Sequence, residues 1–277
     1  MDFLKFLKAV ALAAAVVLPQ SALASSDGPV LPKQDWKFVG IFGQFDQAAL
    51  KRGARVAVEV CMACHSIKYI KFDALKKLGF TEAEVIALAE AQSRNKKDAM
   101  LSPMDATSAK DSFGVVPPDL SLMTKARKGY EDYLYAILNG YASDADRALV
   151  QKVMEDGSLS EQELLEVSSA LGLNAHNPER VKEVLVRIQA NENFNKYFPG
   201  NFFAMPQPLS DGSVTYPDGV ENSLKQMSHD VTTFLAWAAE PTLMERKALG
   251  VKVMLYLMVL TVMFYAVKRR VWAKIHH

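Results

Sequence analysis

The sequence predicts an all-α protein with long irregular loops, a helical insertion and one C-terminal transmembrane helix. Apolar residues recur at helical spacing in several short stretches, and a Ser, Thr, Asp or Asn capping residue opens most of them. The segments between are polar or rich in Pro and Gly, and carry no period. Ala248 to Val267 is an apolar run broken by one charge, Lys252. At about 1.5 Å per residue it can cross a hydrocarbon core of about 30 Å.

With 277 residues, half of them hydrophobic, the chain can build one sizeable core with an added module. Lys5 and Lys8, an apolar run from Ala9 to Leu18 and the small residues Ala22-Leu23-Ala24 read as a secretory signal over residues 1–24. Residues 25–247 then form the working domain. Its first stretch, 25–45, reads as irregular. Asp46 is a good N-cap for a helix with Ala49, Gly53, Val56 and Val60 on one stripe. Glycine there costs helix stability, which implies the close approach of another backbone. Thr81 and Glu84 form a capping box opening a helix through about Ala91. Residues 92–116 read as a surface loop.

Pro117-Pro118-Asp119-Leu120 makes a stiff turn, and Tyr130 to Leu138 follows as a helix closed by Asn139-Gly140. Between them Lys125, Arg127 and Lys128 form a basic cluster. Residues 142–192 read as an inserted helical hairpin. Ser160 and Glu163 cap one helix, Gly172 ends it, and Asn177-Pro178 opens another with Val181, Val184, Leu185 and Ile188 on its apolar side. Residues 194–220 are too rich in Pro, Gly and aromatics for regular structure. Asn222 to Glu240 is an amphipathic helix running to Pro241 and the membrane span 248–267.

The tail 268–277 carries Lys268, Arg269, Arg270 and Lys274 with no acid, which places it in the cytoplasm and the domain in the periplasm. Net charge is +1, but residues 25–247 hold 25 Lys and Arg against 30 Asp and Glu. A mildly acidic domain beside a membrane suits a basic partner as well as simple solubility. No nucleic-acid partner is expected.

Cys61-Met62-Ala63-Cys64-His65 carries the chemistry. The spacing is that of a c-type haem attachment, in which both thiols form thioethers and the next residue ligates iron. A zinc site would need further ligands, and the chain has no other cysteine. A thiol-redox pair belongs near a βαβ pattern, which is missing here. Histidine-ligated haem iron either stays five-coordinate for ligand chemistry or takes a second protein ligand and passes electrons. Of four other histidines, His276 and His277 lie beyond the span, and His176 and His229 read as surface residues. Met227 reads as core. Met205 stands out because Ala204-Met205-Pro206-Gln207-Pro208 is an irregular, proline-stiffened loop able to present a thioether to a metal.

With these residues assembled, the chain resembles the cytochrome c1 family, the haem-bearing subunits of the cytochrome bc1 complex, in a bacterial form. The resemblance rests on Arg52-Gly53, on the blocks 58–66, 117–121 and 126–127, on Asp132-Tyr133, and on 197–200, 204–206, 216–219 and 234–241. It implies a cytochrome c-like haem domain holding one covalent haem c on Cys61 and Cys64. Axial ligands would be His65 and Met205, the Pro118 carbonyl would accept from His65, Arg127 would contact a propionate, and Tyr133 would lie near the haem. Residues 142–192 depart from the pattern, standing where mitochondrial relatives have a much shorter loop. With two cysteines in all, the disulfide of some bacterial relatives is excluded.

The implied function is single-electron transfer from the Rieske iron–sulfur protein to a soluble or anchored cytochrome c. It is carried out beside cytochrome b in a dimeric complex of the bacterial inner membrane, with no bond chemistry by any side chain. The alternatives are an anchored cytochrome c serving another respiratory complex, and a five-coordinate haem sensor or enzyme.

Overall fold

The computed structural model describes residues 29–155 and 159–273; the expected signal peptide and the tail beyond Ala273 lie outside the described residues. The described chain is mostly helical. Its helices are α1 Gln47–Glu59, α2 Glu82–Ala91, α3 Ala106–Phe113, α4 Met123–Ala126, α5 Tyr130–Asn139, α6 Asp144–Glu155, α7 Glu161–Leu171, α8 Pro178–Gln189, α9 Leu224–Ala239 and α10 Leu243–Trp272. Two short strands, β1 Ile67–Lys71 and β2 Ala99–Met100, pair antiparallel through Ile67–Met100 and Lys71–Ala99 with an irregular register.

Local capping chemistry sets the helix starts. Asp46 accepts from the amides of Ala48 and Ala49, closing the orphan donors at the head of α1. Thr81–Glu84 and Ser160–Glu163 are both reciprocal capping boxes. Asn177 caps α8 through Arg180 N.

α1 packs across α9, and Gly53 lies where they cross. A Cβ on residue 53 would stand 1.9 Å from the carbonyl oxygen of Asp230, so a larger residue would force the helices apart. The neighbouring Arg52 locks the same crossing. Its guanidinium donates to the fully buried Asp230 carboxylate at 2.7 and 3.1 Å and to Asp218 at 2.8 Å. It also lies over the Tyr216 ring, 5.6 Å from the centroid. Such a buried pair must be fully partnered to repay its desolvation, and Gln226 supplies a further donor to Asp230 at 3.0 Å. Around the crossing lies the main core, with Leu50, Phe72, Leu75, Met100 and Phe234 among its buried side chains.

Residues 92–116 are not the plain loop the sequence suggested. They form β2 and α3, the latter capped by Asp105. β2 takes its order from pairing with β1, a distant partner that no local pattern displays. The insertion likewise has three helices rather than two, because α6 precedes the expected pair. It owns a second, separate core built from Val150, Val153, Val167, Leu171, Val184 and Leu185, with Phe194. Three of its acids, Glu179, Glu183 and Glu192, pair on its own surface with Lys182, Arg180 and Arg187. That arrangement is a solvated face.

α10 is the one helix among the described residues long and apolar enough to cross a membrane, and no part of that apolar stretch is buried in the chain's own fold. It extends beyond the predicted 248–267 at both ends. Leu243 and Met244 in its first turn pack on the main core, which ties anchor to domain.

Candidate haem-binding site

α1 delivers the cysteine pair. Just past its end the chain tightens into a 3₁₀ turn over Cys61–Ala63, with Cys64 N and His65 N both bonded to the Cys61 carbonyl at 3.2 and 2.9 Å. Side chains at i and i+3 of such a turn lie on one face, so both sulfurs are presented together. Neither forms a disulfide. Burial pushes the Cys61 thiol up to about 12, which keeps it protonated and unsuited to thiolate exchange.

His65 Nδ1 lies 2.7 Å from the Pro118 carbonyl oxygen. A carbonyl can only accept, so the proton sits on Nδ1 and Nε2 keeps its lone pair for a metal. Burial favours the neutral imidazole, against the opposing pull of the Pro118 carbonyl. The segment carrying Pro118 is itself strapped to the chain after His65. Leu120 N donates to Ser66 O at 2.8 Å, Lys68 N to the Asp119 carboxylate at 3.1 Å, and Tyr69 N to Ser121 Oγ at 3.1 Å. Val115, Val116 and Leu122 flank Pro118 in the chain and leave their apolar side chains exposed. A paired thiol face, an imidazole with a free Nε2 and uncovered apolar surface beside it fit a covalently attached haem.

Burial raises the pKa of the Tyr133 phenol on α5, against the opposing pull of the Arg127 charge. The basic cluster read from the sequence does not hold as a unit. Lys125 turns away to Glu240 at 2.6 Å, whereas Arg127 is exposed and bonds its neighbour's carbonyl, Ala126 O, at 3.1 Å. Asp132, also on α5, serves the N-terminal segment. Buried, it accepts from Trp36 Nε1 at 2.8 Å, Gln34 N at 3.1 Å and Lys33 Nζ at 3.0 Å, clipping the N-terminal segment to the domain.

Met205 is half-buried on a loop with its own scaffold, and no hydrogen bond joins it to His65 among the described residues. The buried Tyr141 hydroxyl donates to the carbonyls of Met205 and Pro206 at 3.1 and 3.2 Å. Upstream, Phe198-Pro199-Gly200-Asn201 closes a tight turn through Asn201 N to Phe198 O at 2.8 Å, with Gly200 at φ +82° supplying the left-handed position. The insertion's last helix grips this turn. Arg180 donates to Gly200 O at 2.8 Å, and the Arg187 guanidinium lies 3.8 Å over the Phe202 ring. Asn195 reaches the carbonyl of Ile137 at 2.7 Å, joining the loop to α5. Sequence reasoning missed Tyr141, Arg180, Arg187 and Asn195, because each acts on a partner distant along the chain.

His229, expected on the surface, is half-buried and stacks on Trp36 with ring centroids 4.8 Å apart and planes 15° apart. It is a packing residue. Met227 is fully buried in the core, as its helical position implied. His176 is exposed in the insertion.

A sequence model of the Cytochrome C1 family matches residues 36–275. The chain is 37% identical to the cytochrome c1 of Rhodospirillum rubrum over 274 residues, 93% of each protein. It is 35% identical to the cytochrome b/c1 of Bradyrhizobium diazoefficiens, covering 93% of this chain but 38% of that longer protein. It is 31% identical to the mitochondrial cytochrome c1 haem protein of Saccharomyces cerevisiae, covering 92% of this chain and 76% of that one. The family match runs unbroken from the buried Trp36 through the cysteine pair and the Met205 loop to the apolar helix. The chain therefore belongs to the cytochrome c1 family, the membrane-anchored cytochromes that are the haem c subunits of the cytochrome bc1 complex.

Proposed function

We propose that this chain holds one haem c through thioethers to Cys61 and Cys64, with His65 and Met205 as axial ligands, and transfers single electrons within quinol–cytochrome c oxidoreductase. When bound, the haem supplies one-electron redox chemistry, and the chain's residues decide its potential and its access. The Pro118 carbonyl holds the imidazole in one tautomer and raises its donor strength. The neutral Met205 thioether favours the ferrous state and raises the potential. Arg127 is the cation for a propionate, which needs a partner where it leaves water. Tyr141 stiffens the backbone that presents Met205.

The observation that supports this reading most is the His65–Pro118 bond behind an unbridged cysteine pair. The partners are cytochrome b within the membrane, the Rieske iron–sulfur protein as donor and a soluble or tethered cytochrome c as acceptor, in a dimeric assembly. The haem domain faces the periplasm of a bacterial inner membrane and the basic tail the cytoplasm. The excess of acids in residues 25–247 suits a basic cytochrome c, steering its approach.

Met205→Leu tests the ligand set. The variant is expected to lose the near-infrared methionine–iron band and to bind carbon monoxide rapidly when reduced. Rapid carbon monoxide binding by the unmutated ferrous protein would refute a closed, six-coordinate haem. Purification of the membrane complex with a b-type cytochrome and a Rieske protein separates this function from service to another respiratory complex.

A further inference from the structure

Residues 39–43 leave the main core and return to it within a few residues. Phe38 before them and Phe45 after them are buried and stack with centroids 4.7 Å apart. The loop between is closed and stiff: Gln44 N donates to Lys37 O at 2.9 Å, and Val39 N to Trp36 O at 2.9 Å. At Gly43 a Cβ would lie 2.0 Å from the Val39 carbonyl oxygen, so the loop is drawn too tight for a larger residue. Its side chains nevertheless point away from the protein. Val39 is 61% exposed, Ile41 70% and Phe42 84%. A rigid knob with this much uncovered apolar surface is unfavourable in water and marks a contact site.

The position of the knob says what it contacts. Lys247 Nζ donates to Phe38 O at 2.6 Å and Gly43 O at 3.0 Å, one bond at each foot of the loop. Lys247 is on α10, one turn beyond Leu243 and Met244, which pack on the haem domain, and directly before the apolar run that starts at Ala248. The loop is thus clasped to the membrane helix at the level where that helix leaves the domain and enters the bilayer. Its charge pattern also suits this level. Lys247 neutralises two carbonyls that would otherwise meet the interface unpaired, and the loop tip itself carries no charge.

We propose that residues 39–42 insert into the lipid interface beside α10, as a second, shallow apolar contact that fixes the tilt of the haem domain against the membrane. Leu243, Met244 and Lys247 hold the domain to the helix, but a single span leaves both free to tilt together in the bilayer. Two contacts at one level remove that freedom. The inference rests on the membrane anchor and is independent of the haem ligands.

The test uses the full chain with its haem in vesicles of phosphatidylcholine and phosphatidylglycerol, carrying a nitroxide on Phe42→Cys, where high exposure makes the change harmless to the fold. The parent chain treated with the same reagent gives the background. Power saturation is expected to find the label open to oxygen and closed to a water-soluble nickel chelate, matching a label on Val253→Cys in the span. A label on Leu165→Cys in the insertion is expected to show the reverse. A residue-42 label as open to the nickel chelate as the Leu165 label overturns the proposal. So does a label closed to both reagents, since that marks burial against protein instead of lipid.

Discussion

The chain contains two cores that differ in what they hold together. The main core gathers residues from both ends of the domain, Trp36 and Phe38 with Phe234 and Trp237, and an ion pair on the fully buried Asp230 closes it at the α1–α9 crossing. The second core gathers neighbours, α6 to α8 with Phe194, and is built mainly of Val and Leu, with Ser168 also buried on α7. Yet the second is not an ornament. Through Arg180, Arg187 and Phe202 it supports the turn that leads to Met205, whereas the main core supports the turn that holds Cys61 to His65. The two proposed axial ligands are therefore mounted on separately packed bodies, joined through α5 by Asn195 and Tyr141. An insertion read from the sequence as a helical hairpin turns out to brace the loop that carries Met205.

If that division is right, damage to each core should have its own signature. The largest effect is expected for Arg52→Met, which strands the Asp230 carboxylate at the α1–α9 crossing. Removing one partner of a buried ion pair costs about 3–5 kcal/mol, and denaturant unfolding followed by tryptophan fluorescence should show a global loss. Leu185→Ala empties part of the second core. Such a truncation costs about 2–5 kcal/mol, and the expected result is early loss of the methionine–iron band on heating while the histidine-ligated haem spectrum and the main unfolding transition persist. Coincident loss of both would show that the two bodies unfold as one.

Tyr141→Phe probes the joint between them. It leaves two carbonyls of the Met205 loop without their donor, at a cost of about 1–3 kcal/mol. The methionine–iron band should then be lost at a lower temperature or lower denaturant concentration, with the cysteine attachment unaffected. Burial raises the Tyr141 phenol above its ordinary range, so this bond should persist through alkaline titration up to unfolding.

The smallest effect concerns the N-terminal clip. Burial opposes ionisation of Asp132, but its bonds from Lys33, Trp36 and Gln34 outweigh that and hold its carboxyl below the usual range. A carboxylate with a depressed folded pKa contributes stability that is present above its unfolded pKa of about 3.9 and lost as pH falls through the folded value. Acidification below about pH 4 should therefore loosen residues 33–36, seen as a change in Trp36 emission, and Asp132→Asn should abolish that pH dependence.

Much of the local architecture was legible in the residues. Asp46, Thr81, Ser160 and Asn177 cap helices because a cap and its target amides lie within three residues of each other. Gly53 was readable as a close approach, though not which backbone approached. The site was legible where its parts are adjacent, as in Cys61, Cys64 and His65. Within the basic cluster Arg127 stays on its neighbour's carbonyl, while Lys125, two positions away, leaves for Glu240. β2 was missed because its order comes from pairing with β1, and His229 was misread because the Trp36 ring that covers it lies far along the chain.

The sequence by itself determined the haem attachment motif, the helical class, the apolar anchor and the candidate ligand Met205, since each is written in contiguous residues whose spacing is their chemistry. Tertiary structure alone decided that Pro118 accepts from His65, that Arg52 closes on Asp218 and Asp230, that the insertion braces the Met205 loop, and that Lys247 clasps the exposed knob at 39–43. Those contacts join residues from about 20 to more than 200 positions apart. Their energy depends on donors and acceptors meeting out of water, and no local pattern records which distant groups will meet.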